Sequence, residues 1–523
     1  MPPTMSVTFL GTSSGGGPIE SRNCSSLVLD VLGDNSLWMV DCAEGTVRQF
    51  ASQPSRYGDK YYRRAGKVSK IFITHMHADH TMGIITLLRD ALGYPRPDSE
   101  NALVDPPPKI EVYGPQGIRQ FIRSIFTITH SRTADKYAVY ELLSPGESAS
   151  APIAGSPDEP MHPSEVPGAD LVPDAEGYWK GITRERMGQG FSDCSVVVDA
   201  GPIIHRDPCI GYVVKEILPE TTPLVASRTL VVLGDTSDPK ELIPLIKEPP
   251  VVPLVSTTTV ATISHPTQTS SYASVTNSGV VFESPVPSKV ALLIHECTDC
   301  YIPPEIDTRQ RTGKNRRPDV VLEKMLQKGH SVATMAGAFA REIDAEKLVL
   351  NHIGSRFPAP PALSPIHSSG LHRFQHECIE EIERQAFEAF RPPSNERCVI
   401  AAYDFLTVEV PPLYRGLKTA RKSGDMDDDE GGDEAVSQQP GNQAPGRYYG
   451  FRGGSSSGGG ATGDGRRGIG SGAGTGRGRG RGWDTGREGS GGRGRGVIGG
   501  HSRGRARVNS GEPRDGPSKR ARW

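Results

Sequence analysis

Three imidazoles and a carboxylate stand within six positions in the run Thr74-His75-Met76-His77-Ala78-Asp79-His80, and no other feature restricts the chain so tightly. Imidazole and carboxylate are both good ligands for a borderline divalent metal. Upstream, Lys70-Ile71-Phe72-Ile73-Thr74 alternates and is β-branched and aromatic, which predicts a buried strand, while Gly83 to Asp90 predicts a helix. The ligands therefore fall on a strand-to-helix loop. In extended chain residues two apart project to one side, so His75 and His77 can grip one ion, and the turn re-aims Asp79 and His80 toward a second. The pattern reads as a metallohydrolase centre for two ions.

One loop cannot complete two metal positions, so other strand ends must supply further ligands. His205 stands between Val196-Val197-Val198 and Gly211-Tyr212-Val213-Val214, Asp235 ends Thr229-Leu230-Val231-Val232-Leu233-Gly234, and His352 ends Lys347-Leu348-Val349-Leu350-Asn351. Each taken alone reads as well as a satisfied structural residue. Their joint order makes them ligand candidates.

That order resembles the metallo-β-lactamase superfamily and, within it, ribonuclease Z. The resemblance rests on the T-H-M-H-A-D-H run, His205, Gly234-Asp235-Thr236, His295-Glu296-Cys297-Thr298, Lys328-Gly329-His330-Ser331 and Asn351-His352-Ile353-Gly354-Ser355-Arg356-Phe357. Phe9-Leu10-Gly11-Thr12-Ser13 with Arg22-Asn23, Val40-Asp41-Cys42-Ala43-Glu44-Gly45-Thr46, Tyr113 to Ile118 and Tyr403 to Val408 extend it across residues 5 to 410. It implies an α/β fold, the αββα metallo-β-lactamase sandwich, and an endoribonuclease that cuts 3′ trailers from precursor tRNA. Carried over, it gives His75, His77 and His205 to one zinc and Asp79, His80 and His352 to the other, with Asp235 bridging. Two Zn2+ per chain follow, with Mn2+ an alternative ion. Two such ions about 3.5–4 Å apart activate water and stabilise attacking and leaving oxygens at phosphorus. Asp79 is then ligand and general base, His330 steered by Glu296 is the proton donor, and His295 is structural. A homodimer is also implied.

The remaining composition sets boundaries. We place a hydrolase domain over 1–417, interrupted by two Pro-, Ser- and Gly-rich insertions at about 144–188 and 249–287 that read as mobile surface loops. Residues 418–523 read as a disordered tail. It opens on the acidic block Asp425 to Glu430, and from Arg447 onward it holds seventeen Arg or Lys against five acidic residues. That surplus of positive charge is hidden in a whole-chain charge of −2. Arg447, Arg452, Arg477, Arg479 and Arg481, interspersed with Tyr, Phe and Trp, suit phosphate attraction and base stacking on single-stranded RNA. A solubilising linker is the bland alternative. Eight scattered cysteines without a secretory h-region predict a reducing compartment, and Cys297-x-x-Cys300 lacks a second pair at zinc spacing. Lys519-Arg520-Ala521-Arg522 favours the nucleus over the cytoplasm, and no apolar run reaches the length of a membrane span.

Two departures from ribonuclease Z bear on substrate. The interval that usually carries a long tRNA-gripping arm holds only Glu216 to Arg228, and Glu20 stands in Pro18-Ile19-Glu20-Ser21-Arg22-Asn23 where a basic residue is usual. A carboxylate there repels phosphate. Three readings stand: an endonuclease on precursor tRNA, a phosphodiesterase on another RNA or a small phosphodiester, and an RNA-binding scaffold. A scaffold has no reason to keep seven converging ligands.

Overall fold

Period-two alternation decides where each central strand sits. In the strand Arg228–Leu233, Leu230 and Val232 face a core shared by two sheets, whereas Val231 and Leu233 face a second core under helices. The computed structural model describes residues 2–414 apart from 55–57, 96–105, 189, 192, 220–224, 250–288, 362–369 and 393–397. The chain divides into the units Met1–Phe451 and Arg452–Trp523, and every described residue belongs to the first. The second insertion from residue 250 to 287, the acidic block and the five tail arginines thus lie outside the described residues.

An eight-stranded sheet runs Thr407–Val410, Met5–Gly11, Ser26–Asp30, Leu37–Cys42, Val68–Phe72, Ile110–Pro115, Tyr137–Leu142, Glu165–Leu171. A seven-stranded sheet runs Val399–Ala401, Leu348–Asn351, Lys289–Glu296, Arg228–Leu233, Cys209–Ile217, Ser195–Ile203, Trp179–Arg186. Phe9, Trp38 and Phe72 from the first meet Tyr212, Leu230 and Ile294 from the second in one buried cluster. Helices Ile84–Leu92 and Ile118–Ile128 cover the outer face of the first sheet. Ala333–Glu342 and Gly370–Phe390 cover the second. The architecture is the expected αββα sandwich.

The first insertion departs from its expectation as a mobile loop. Residues 144–188 contain the strands Glu165–Leu171 and Trp179–Arg186, which form an edge of each sheet. An edge strand tolerates Pro167, and Gly168 lies so close to its neighbour that a Cβ would meet Val139 O at 1.9 Å. Buried charge substitutes for the missing apolar side chains. Arg123 binds both Glu165 oxygens at 2.8 Å, and Arg119 donates to Ala151 O at 3.0 Å and pairs with Asp170 at 2.6 Å.

Candidate metal centre

Strand direction gathers the site. Arg228–Leu233, Lys289–Glu296 and Leu348–Asn351 are parallel neighbours, so Asp235, Glu296 and His352 emerge at one edge. Two antiparallel steps, through Cys209–Ile217 to Ser195–Ile203, restore the direction and bring His205 to that edge. In the other sheet Leu37–Cys42 and Val68–Phe72 run parallel, placing Asp41 beside the loop of His75 to His80. Gly83 lets the following helix close in, since a Cβ there would meet Ala43 O at 1.9 Å.

All seven expected ligands converge. His75, His77, His205 and Asp235 each present a ligand atom within 4.8 Å of the others, and so do Asp79, His80 and His352. His75 Nε2 lies 2.8 Å from His77 Nδ1, and His80 Nε2 lies 3.2 Å from His352 Nε2. Asp235 stands between the two groups, with Oδ2 3.7 Å from His75 Nε2 and Oδ1 3.5 Å from His80 Nε2. His330 joins Asp235 and His352 in a third grouping of the same span.

Each ring spends its other nitrogen on an outer partner, the arrangement that fixes a ligating tautomer. Thr74 Oγ1 lies 3.0 Å from His75 Nδ1, Asp41 2.7 Å from His80 Nδ1, and Gly329 O 2.6 Å from His205 Nδ1. Asp207 lies 2.7 Å from His77 Nε2, and Thr298 Oγ1 3.1 Å from His352 Nδ1. His205 Nε2 is buried and makes no hydrogen bond among the described residues. A buried nitrogen aimed at other ligand atoms without a partner fits a metal position.

The charges agree with that fit. Burial and the adjacent imidazoles hold His75 well below its ordinary value, and burial lowers His205, so both favour the neutral ligating form. Burial opposes charge on His80, but Asp235 and Asp41 outweigh it and push that imidazole well up. Burial likewise resists ionisation of Asp79, yet the hydrogen bond to His352 and the charges of His80 and His352 hold its carboxyl well below the usual range. Gly15 N–H donates to Asp79 Oδ2 at 2.7 Å. The carboxylates thus favour a proton on His80, which a cation bound there would displace.

Glu296 Oε1 lies 3.0 Å from His330 Nδ1 and also accepts Thr236 N–H at 2.7 Å. Burial lowers the His330 imidazole, but the hydrogen bond and charge of Glu296 overcome it and raise it. His295 turns away into the helix-covered core, with Nδ1 2.8 Å from Glu296 O and its ring against Phe339. Cys297 and Cys300 are buried free thiols in that core.

No protein-family model matches the chain. It is 29% identical over 422 residues to the human zinc phosphodiesterase ELAC protein 1, covering 78% of this chain and 99% of the relative. It is 26% identical over 426 residues to the ribonuclease Z of Acaryochloris marina, covering 80% of this chain and all of the relative. Over most of its length the chain is thus similar to proteins named zinc phosphodiesterase and ribonuclease Z. A crystal structure of the human short-form tRNase Z aligns with 78% of this chain and 99% of its own at 23% identity and a TM-score of 0.44.

The loop resembling ribonuclease Z at Pro18 to Asn23 borders a cavity of about 380 Å³ with Arg48, Tyr403 and Asp404. Glu20 is exposed at its rim. Arg22 is no open phosphate ligand, because it is buried and donates to Phe357 O, Thr12 Oγ1 and Ala402 O at 3.0, 2.8 and 2.6 Å. Asp404 accepts Asn23 N–H at 2.6 Å and Thr12 Oγ1–H at 2.8 Å, and burial pushes its carboxyl up to about 6.

Sequence reasoning gave no role to Asp41, Thr298 or Asp207. For Asp41 a signal existed, since a carboxylate inside Leu37-Trp38-Met39-Val40-Asp41-Cys42, a strand buried throughout, requires a partner. Asp41 and His352 also carry left-handed backbone, at φ 56° and 51°. Both strained residues belong to the centre.

Proposed function

We propose that the chain is a zinc-dependent phosphodiesterase of the ribonuclease Z type that holds two ions and cleaves precursor tRNA on its 3′ side. The juxtaposition of the seven-ligand cluster with the Glu296–His330 pair at its edge carries this reading. Divalent ions in such a cluster lower the pKa of water and neutralise charge developing at phosphorus. The chain's own groups supply proton transfer and alignment. His330 commits Nδ1 to Glu296, which leaves Nε2 to give a proton to the leaving oxygen. The Gly15 N–H fixes Asp79, which serves as ligand and acceptor of the proton from the attacking water.

Purified protein given precursor tRNA and bis(4-nitrophenyl) phosphate tests this. Cleavage of both, abolished by His77→Ala without loss of the folded melting transition, is the expected result. Absence of bound metal in active protein, or cleavage of neither substrate, overturns it. A second reading, a phosphodiesterase on small or other RNA substrates, is favoured by the connection from Ile217 to Arg228, too short for an arm, and by Glu20. Cleavage of the small diester alone would select it.

The Gly/Arg-rich tail serves as a sequence-tolerant RNA attractor in this reading, and its Lys519-Arg520-Ala521-Arg522 cluster directs the protein to the nucleus. Truncation after Tyr414 then weakens RNA binding at low salt and leaves the small diester unaffected. Sedimentation reads the homodimer, and a fluorescent fusion with and without the basic cluster reads the location.

A further inference from the structure

The open side of the centre lies at His77. Its side chain is 22% exposed, against 14% for Asp79 and 0–4% for His75, His80, Asp235 and His352. A phosphodiester reaching the cluster from this side passes the residues that flank His77. Those are Arg206 and Asp207, both more than half exposed, on the turn that follows His205.

Their geometry is specific. Asp207 Oδ2 lies 2.7 Å from His77 Nε2. Arg206 Nη2 lies 3.4 Å from His77 Nε2 and 3.5 Å from Nδ1, while its Nε is 3.5 Å from Asp207 Oδ2. The carboxylate thus holds the Arg206 stem side and leaves Nη2 of the guanidinium at the edge of the ligand cluster. The turn itself is held in place. Gly329, at φ +75°, packs where a Cβ would meet Arg206 N and His205 Nδ1 at 2.7 Å, and its carbonyl binds His205.

We propose that this pair divides two tasks at the mouth of the centre. Arg206 is a catalytic residue whose guanidinium binds a non-bridging oxygen of the scissile phosphate, and Asp207 is a positioning residue that fixes His77 for its ion. A planar fork beside the ligand cluster suits the extra negative charge of the transition state, which a phosphodiester acquires only during displacement. Asp207 supplies the outer carboxylate that raises ligand basicity and locks ring orientation. The proposal rests on the phosphodiesterase reading, so its test includes an arm that requires no turnover.

Zinc-loaded wild type, Arg206→Gln, Arg206→Lys and Asp207→Asn are compared by three measurements: turnover of bis(4-nitrophenyl) phosphate, calorimetric affinity for inorganic phosphate, and zinc affinity against a chelator. Arg206→Gln is expected to lower kcat about 100-fold, to weaken phosphate binding, and to leave zinc affinity unchanged. Lysine restores only part of the rate, because a point charge replaces a fork. Asp207→Asn weakens zinc affinity about tenfold, and its rate recovers at saturating zinc. Arg206→Gln with unchanged phosphate affinity overturns the assignment even if the wild type hydrolyses nothing. Zinc loss in Arg206→Gln equal to that in Asp207→Asn overturns the division of tasks.

Discussion

The carboxylate of Glu296 is shared by His330 Nδ1 at 3.0 Å, Thr236 N–H at 2.7 Å and Thr298 Oγ1–H at 2.6 Å, so the proposed proton donor hangs from an acceptor that cannot swing. Burial works against the charged form of His330 and Glu296 sustains it. Glu296→Gln removes the sustaining interaction, so the His330 value falls. The protonated donor is then lost at lower pH. We expect the alkaline limb of the kcat profile to move toward acid and turnover at neutral pH to drop about 100-fold, and an unshifted limb would remove His330 from the donor role.

Asp41 receives Thr74 N–H at 2.8 Å and lies 2.7 Å from His80 Nδ1, anchoring the metal loop from beneath. Asp41→Asn keeps the volume and loses one charged acceptor. Zinc affinity should fall about 10- to 100-fold when titrated against a chelator, with activity returning as zinc is added. Unaltered affinity would reduce Asp41 to a packing residue.

Asp404 gives the stability of the fold a pH dependence. Burial raises its carboxyl from 3.8 to about 6, so the folded state holds the proton more tightly than the unfolded chain. Its stabilising contribution is full below about pH 4 and is lost as pH rises through about 6, a change of about 3 kcal/mol. Asp404→Asn should flatten that portion of the denaturant-unfolding free energy between pH 4.5 and 7. A slope equal to wild type would contradict the buried carboxyl.

Gly337 marks the contact of helices Ala333–Glu342 and Gly370–Phe390, where an added Cβ would lie 2.1 Å from Ala386 O. Backbone cannot yield as a flexible side chain does. Gly337→Ala should destabilise by about 1–3 kcal/mol in chemical denaturation, leaving the zinc content of the folded protein unchanged.

The local part of the centre was legible because its information is local. His75, His77, Asp79 and His80 share one short stretch that runs from the end of a strand into the helix Ala78–Thr81, and His205, Asp235 and His352 each follow a strongly apolar strand. What escaped was held by partners distant in sequence. Asp207 bonds a histidine 130 positions away, and Arg119 and Arg123 order the first insertion through carboxylates and carbonyls that no hydrophobic pattern records. The same polar bracing explains why a Pro- and Gly-rich stretch became two edge strands.

Ile210 N–H donates to Thr74 O at 2.9 Å and the Tyr212 hydroxyl to Ile73 O at 2.7 Å, so the last residues before the histidine loop are tied directly to the opposite sheet. The ligands on the two sides are therefore gauged against each other through two short links. Loss of a hydroxyl as remote from solvent as that in Tyr212→Phe alters the spacing of ligand atoms while every ligand remains present. In this chain the hydroxyl of a core tyrosine acts as a calibration screw for the candidate metal site, so a buried position between the sheets has a hold on ligand spacing that its distance from solvent would not suggest.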